Sequence, residues 1–390
     1  MFDFDTVIDR KNSASIKWHF YPEDVLPMWV ADTDFACPPA VLTALTERIA
    51  HNVYGYEVPS KEFVELICAR MLSLYGWEVA PEALIFVPSV VTGFHAACRA
   101  VGDAGDGVLI QTPVYPPFLT APAAHGKVLQ QAELKLDDDG RTFHYEVDMG
   151  AFEAAITDRT RLFLLCNPHN PTGAAYTRAE LQAMADVCLA HDMVICSDEI
   201  HSDLLLGGVN HIPTAALSPE IAERTITLIA PSKTYNLPGL KCSIAIIQNA
   251  DLRKRYNEAS YGIVPWVNAL GLVAAEAAYR HGDEWLADLK TYLTANRDAM
   301  VAYIGANMPQ VKVTVPDATY LAWIDCREIM EHVGDDPHKF FLEQAKVGLN
   351  DGPPFGEPGR GFVRLNFGCP RSTLMEGLER MKRALDTLDA

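Results

Sequence analysis

The 390-residue sequence predicts an α/β chain in which a mostly parallel sheet is followed by a smaller α+β region. Two observations carry this. Short apolar runs alternate with helical patterns through the middle of the chain, and the rhythm changes after about residue 265. The runs 84–87, 108–110, 162–166, 193–196, 225–230 and 243–247 are apolar on both faces, as strands of a sheet covered on both sides must be. Helical patterns at 92–101 and 178–191 lie between them, the order of a parallel α/β sheet. Later come long helical stretches at 268–281 and 284–308 and short strands at 312–315 and 320–324. A helix near 337–345, a strand at 362–366 and a last helix at 372–388 complete the chain. The expected division is 1–45 packing with the small domain, 46–284 as the large domain and 285–390 as the small C-terminal domain.

The length exceeds what one core accommodates, so about two domains are expected. Apolar residues make up 49%, too many for disorder. No apolar run reaches the roughly 18 residues of a membrane helix. The N-terminus, MFDFDTVIDRKNSASIKW, scatters charge and has no apolar signal region. Against 32 Lys and Arg stand 51 Asp and Glu, a net charge of −19, which argues against nucleic acid or anionic membrane as partners. The cysteines (37, 68, 98, 166, 188, 196, 242, 326, 369) are odd in number and form no CxxC, so neither a disulfide framework nor a zinc site is expected. A reducing cytoplasm is the expected compartment.

Ligands of open α/β sheets bind beyond the carboxyl ends of the strands, so the residues that follow each strand matter most. Lys233 follows 225–230 in APSKTYNLPGLK. A buried ammonium lowers its pKa or becomes covalently bound, and a desolvated lysine attacks carbonyls to give a Schiff base; a salt bridge or snorkelling is the ordinary alternative. Asp198 follows 193–196, as a helix N-cap or as the partner of a cationic ring nitrogen, and His201 three residues on is structural or functional. Asn170 sits in NPHNPTG, where two Asn-Pro pairs stiffen the loop; one such pair would be an ordinary turn. Val91 and Thr92 open a helix after 84–87, a place where free N–H groups meet phosphate, although neither a Walker lysine nor GxGxxG is present. Tyr115 in TPVYPPF is a core ring or one that stacks on a flat ligand. An amine, a carboxylate, an amide, an aromatic ring and a phosphate cradle at successive strand ends are together what pyridoxal 5′-phosphate (PLP) requires.

On these residues the chain resembles the fold-type I PLP enzymes of the class I/II aminotransferase family. Within it the chain is similar to the MalY/PatB group of cystathionine β-lyases, or C–S lyases. WVADTDF (29–35), VYGYEVP (53–59), TPVYPPF, NPHNPTG, SDEIHSDL, APSKTYNLPGLK, YLAWIDCRE and GFVRLNFGCPR match in order along nearly the whole chain. The resemblance implies a large domain with a mostly parallel seven-stranded sheet and a small α+β domain. It implies that Lys233 binds the cofactor and moves the substrate Cα proton, that Asp198 pairs with the pyridine nitrogen, and that Asn170 and His201 face the phenolate oxygen. Tyr115 would stack on the ring, with Val91, Thr92, Ser232 and Lys241 on the phosphate. Tyr56 would reach the phosphate of a neighbouring subunit, hence a homodimer with shared sites. Arg364, Ala31, Tyr115 and Asn170 would meet the amino-acid substrate. The implied reaction is β-elimination from cystathionine or a cysteine S-conjugate to thiol, pyruvate and ammonia; the alternatives are transamination and a regulatory role. Departures are Lys241 where aminotransferases carry Arg, Thr33 where the lyases usually carry Met, and Thr92 where they often carry Pro.

Overall fold

Residues 2–388 are described by a computed structural model. Met1, Asp389 and Ala390, which close the expected outer segments 1–45 and 285–390, lie outside the described residues.

The apolar runs form one seven-stranded sheet in the order Leu84–Val87, Ser243–Ile246, Thr225–Ile229, Val194–Asp198, Thr160–Cys166, Gly107–Thr112, Val128–Glu133. Ser243–Ile246 is antiparallel to both neighbours, and the other pairings are parallel. The two-sided apolarity has its expected cause. In Thr160–Cys166, Leu162, Leu164 and Cys166 enter one core while Phe163 and Leu165 enter another. The first core is closed by helices Val90–Ala100 and Ala250–Ser260 through Phe94, Leu252 and Tyr256. The second is closed by helix Arg178–Ala190 through Leu181 and Met184. Each such side chain, fully buried, contributes about 1.5–3 kcal/mol.

Val128–Glu133 carries no apolar run to announce it. It is an edge strand whose sequence, VLQQAE, is half exposed. The turns around the helices are conventional: Ser89 caps Val90–Ala100 by accepting from Thr92 N (3.1 Å), and Thr177 with Glu180 forms a capping box.

The second sheet has six strands in the order Asn350–Asp351, Phe362–Asn366, Leu321–Asp325, Lys312–Thr314, Thr142–Glu146, Lys135–Asp138. Its last two strands are a hairpin from the middle of the chain, and Thr142–Glu146 runs parallel to Lys312–Thr314. The expected range 46–284 thus lends a hairpin to the later sheet. Helix 337–345 is broken, with Pro337–Phe340 followed by a wide turn Phe341–Ala345 that stops at Lys346 in the left-handed region (φ 55°). The N-terminal segment joins the late elements, since Leu26–Pro27 pairs in parallel with Val347–Gly348. One continuous core runs from Phe63 and Ile67 through Leu289 and Met300 to Leu321 and Leu378, binding the first sheet's flank to the second sheet.

Candidate active site

Parallel register brings the strand ends together: Cys166 lies opposite Asp198, and Asp198 opposite Leu228. Asn170 follows the first strand, Asp198 ends the second, and Lys233 sits in the one-turn helix Pro231–Thr234 after the third. Arg364 comes from Phe362–Asn366 of the other sheet. Together they surround a cavity of about 560 Å³ between the two sheets.

Ala31, Val91, Tyr115, Asn170, Asp198, His201, Ser232, Lys233, Lys241 and Arg364 all line this cavity. Thr92 does not; its hydroxyl is engaged with Ser89 Oγ at 2.9 Å. Tyr56 stands apart. It is 97% exposed, packs edge-on against Trp266, and lines a separate open groove of about 1190 Å³. Thr33 is buried with no hydrogen-bond partner for its hydroxyl. Lys241 is exposed at the cavity rim in the left-handed region (φ 56°).

The Asn170 loop is fixed from two sides. His169 lies with Nε2 2.8 Å from the Pro113 carbonyl and Nδ1 3.1 Å from that of Cys166. Both Asn-Pro bonds and Thr112-Pro113 are cis. Asn170 Oδ1 accepts from Arg364 Nη1 at 2.8 Å, and Arg364 Nη2 donates to the Trp29 carbonyl at 2.9 Å. Lys233 Nζ donates to the Ala31 carbonyl at 2.6 Å, which also accepts from Tyr320 OH at 3.0 Å. Asp198 Oδ1 accepts from Ile200 N at 3.1 Å.

Burial dominates the electrostatics. It pulls Lys233 down to about 8, aided by the positive charge of Arg364 and opposed by Asp32 and Asp198. It pushes Asp198 up to about 7, lowers His201 to about 3 and lowers Arg364 to about 10. Tyr115 also moves up, first by burial and then by Asp198. The cavity therefore holds a carboxylate short of positive partners, an amine that gives up its proton more readily than a free lysine, and a neutral imidazole. His201 Nδ1 and Arg364 Nε are buried with no partner.

This donor set fits PLP. Its ring nitrogen would answer Asp198, its aldehyde Lys233, and its phenolic oxygen Asn170 and the orphaned His201 nitrogen. The free N–H groups at the start of Val90–Ala100, beside Val91, suit its phosphate. Arg364 Nε remains free for a carboxylate.

Trp29, Asn350 and Tyr320 also touch the site, and reading by strand ends missed them. Trp29 and Tyr320 stood in motifs already noticed (29–35 and YLAWIDCRE). Asn350 belongs to a two-residue strand with no periodicity to mark it.

The chain belongs to the aminotransferase class I and II family, which matches residues 23–381. Among curated relatives it is 38% identical over 390 residues to cystathionine beta-lyase PatB of Bacillus subtilis (strain 168), covering 98% of this chain and 100% of that one. The crystal structure of OvoB superposes with a TM-score of 0.92 at 43% identity, covering 98% of this chain and 99% of that one. The PLP-bound C-S lyase from Staphylococcus hominis gives a TM-score of 0.92 at 32% identity, again covering 98% and 99%. The fold is that of the fold-type I PLP enzymes.

Proposed function

We propose that this protein is a PLP-dependent carbon–sulfur lyase that cleaves cystathionine or related cysteine S-conjugates to a thiol, pyruvate and ammonia. The observation that carries the reading is one cavity in which the Lys233 amine, held to about 8, lies between Asp198 and Arg364. The full-length likeness to a cystathionine beta-lyase supports elimination over transamination.

The cofactor is PLP, which when bound supplies an electron sink for the bond broken at the substrate Cα. Lys233 would hold it, with Asp198 against the ring nitrogen and Tyr115 against the ring face. Asn170 and His201 would hold the phenolic oxygen, and Val91, Ser232 and Lys241 the phosphate. Arg364 would grip the substrate α-carboxylate, using the nitrogen that now lacks a partner. Lys233 Nζ would take the Cα proton, and the Ala31 carbonyl would steady the resulting ammonium. Removal of that proton by Lys233 would let the β-thiolate leave.

Three further readings go with this function. The large and small domains would be 46–284 and 285–390, with 1–45 on the latter. A homodimer is supported by the exposed groove of Tyr56, Tyr261 and Trp266 (97%, 89% and 69% exposed), a patch that an isolated chain would leave wet. Tyr56 would then complete the phosphate site of a second copy. All nine cysteines are free, the state that a reducing cytoplasm maintains.

The test is to incubate holoenzyme with cystathionine in the absence of any keto acid and measure pyruvate and free thiol. Their release in equal amounts is the expected result. Turnover that requires a keto acid acceptor would make the protein a transaminase instead.

A further inference from the structure

The stretch 29–35 has no helix or strand of its own, yet its carbonyls touch both reactive cations. Trp29 O faces Arg364 and Ala31 O faces Lys233. Almost nothing within the stretch fixes these carbonyls, the exception being one bond from Asp32 N to Val30 O. The fixation comes from outside: Asp34 N donates to Gly368 O (2.9 Å), Tyr320 OH donates to Ala31 O (3.0 Å), and the other ties are side chains. Asn236 Nδ2 donates to Thr33 O (2.9 Å) and Phe35 O (2.8 Å) while its Oδ1 accepts from Thr33 N (3.2 Å). Asn366 Nδ2 donates to the carbonyls of Val30 (2.5 Å) and Asp32 (2.7 Å). Asn236 lies three residues after Lys233, and Asn366 two after Arg364, so each cation's own backbone carries an amide that grips the same strap.

A charge cluster holds the other side. Arg10 bridges Asp32 and Asp34, at 2.7 Å each, and Lys17 Nζ meets Asp34 Oδ2 at 2.7 Å. Trp18 Nε1 donates to Asp34 Oδ1 at 3.0 Å. Lys17 is only 1% exposed. Burying an ammonium in this way gains little stability over an apolar side chain of the same size; what an ion pair fixes well is position.

We propose that Arg10, Lys17, Asn236 and Asn366 are positioning residues that lock the carbonyls of Trp29 and Ala31 against Arg364 and Lys233, and so set where the proton-moving amine sits. This rests on the reading of Lys233 as that amine.

The test uses Arg10→Gln and Lys17→Met, which release different oxygens of the Asp34 carboxylate, Oδ1 and Oδ2. In the apoprotein, amide hydrogen exchange across 30–34 should speed at least fivefold while Thr225–Ile229 is unchanged. In the holoenzyme in D2O, deuterium incorporation at Cα of saturating L-alanine should slow by about 10- to 100-fold, the cost of a misplaced catalytic group. Both are measured well below the unfolding midpoint, where a purely structural defect leaves turnover intact. Unaltered exchange across 30–34, or a loosened strap with Cα exchange within threefold of the unmodified enzyme, overturns the proposal. If the unmodified holoenzyme fails to exchange the alanine proton, the role of Lys233 falls, and this role for the strap with it. Failure to release pyruvate from cystathionine would touch only the lyase reading.

Discussion

Replacing Arg364 by Gln removes a positive charge from the wall of the cavity that holds Lys233. Its consequence for the amine can be worked out. Burial is the larger cause of the low pKa of about 8 and Arg364 the next, with Asp32 and Asp198 acting in the opposite sense. At an effective dielectric of about 20, a unit charge roughly 10 Å away across the cavity is worth about 1.7 kcal/mol, or roughly one pH unit. Arg364→Gln should therefore move the amine to about 9, short of a free lysine's ordinary value because burial persists. An amine at 8 is roughly a quarter unprotonated at pH 7.5 and one at 9 about 3%, so reactivity should fall about eightfold. The assay is trace acylation of apoprotein across pH 6–11, with the peptide bearing Lys233 quantified by mass spectrometry against the unfolded chain. Arg364→Lys keeps the charge and should leave the midpoint near 8. A native midpoint above 10, or a midpoint that stays or falls in Arg364→Gln, refutes this account of the site.

The remaining expectations concern binding, chemistry and packing. Arg364→Lys replaces a fork by a point charge, losing a charge-assisted hydrogen bond worth about 2 kcal/mol, so kcat/KM for a cysteine S-conjugate should drop roughly 30-fold. Asp198→Asn should leave PLP bound but slow deuterium exchange at the substrate Cα by about 100-fold or more, since the ring nitrogen loses a buried charge partner worth about 3–5 kcal/mol; exchange within tenfold of the unmodified rate would count against it. Gly93 sits where helix Val90–Ala100 presses on Thr225–Ile229, and an added Cβ would meet Leu228 Cδ2 at 2.9 Å. Gly93→Ala should cost about 1–3 kcal/mol in urea unfolding, with kcat little changed once folded.

Much of the site was written in local sequence. Lys233, Asp198 and Asn170 each follow a run apolar enough to be a central strand. Parallel strands deliver their carboxyl ends to one edge, so three separate stretches converge without any knowledge of side-chain contacts. The seven-stranded sheet stood partly outside that logic. The edge strand Val128–Glu133 is half solvated and lacks the apolar signature of its buried neighbours. The hairpin Lys135–Asp138 and Thr142–Glu146 alternates as a hairpin should, but nothing within it says which sheet it joins.

The sequence by itself determined that Lys233, Asp198 and Asn170 would gather at the strand ends, where they line one cavity, because strand ends and stiff loops are short-range features. Only the tertiary structure decided how those residues are held. The strap from Trp29 to Phe35 takes its shape from Asn236, Asn366, Arg10 and Lys17, more than 300 residues apart at the extremes. The depressed pKa of Lys233 comes from burial and from an arginine on another sheet. Hydrogen bonds and desolvation depend on distance in space, and a chain encodes that distance only after it has folded.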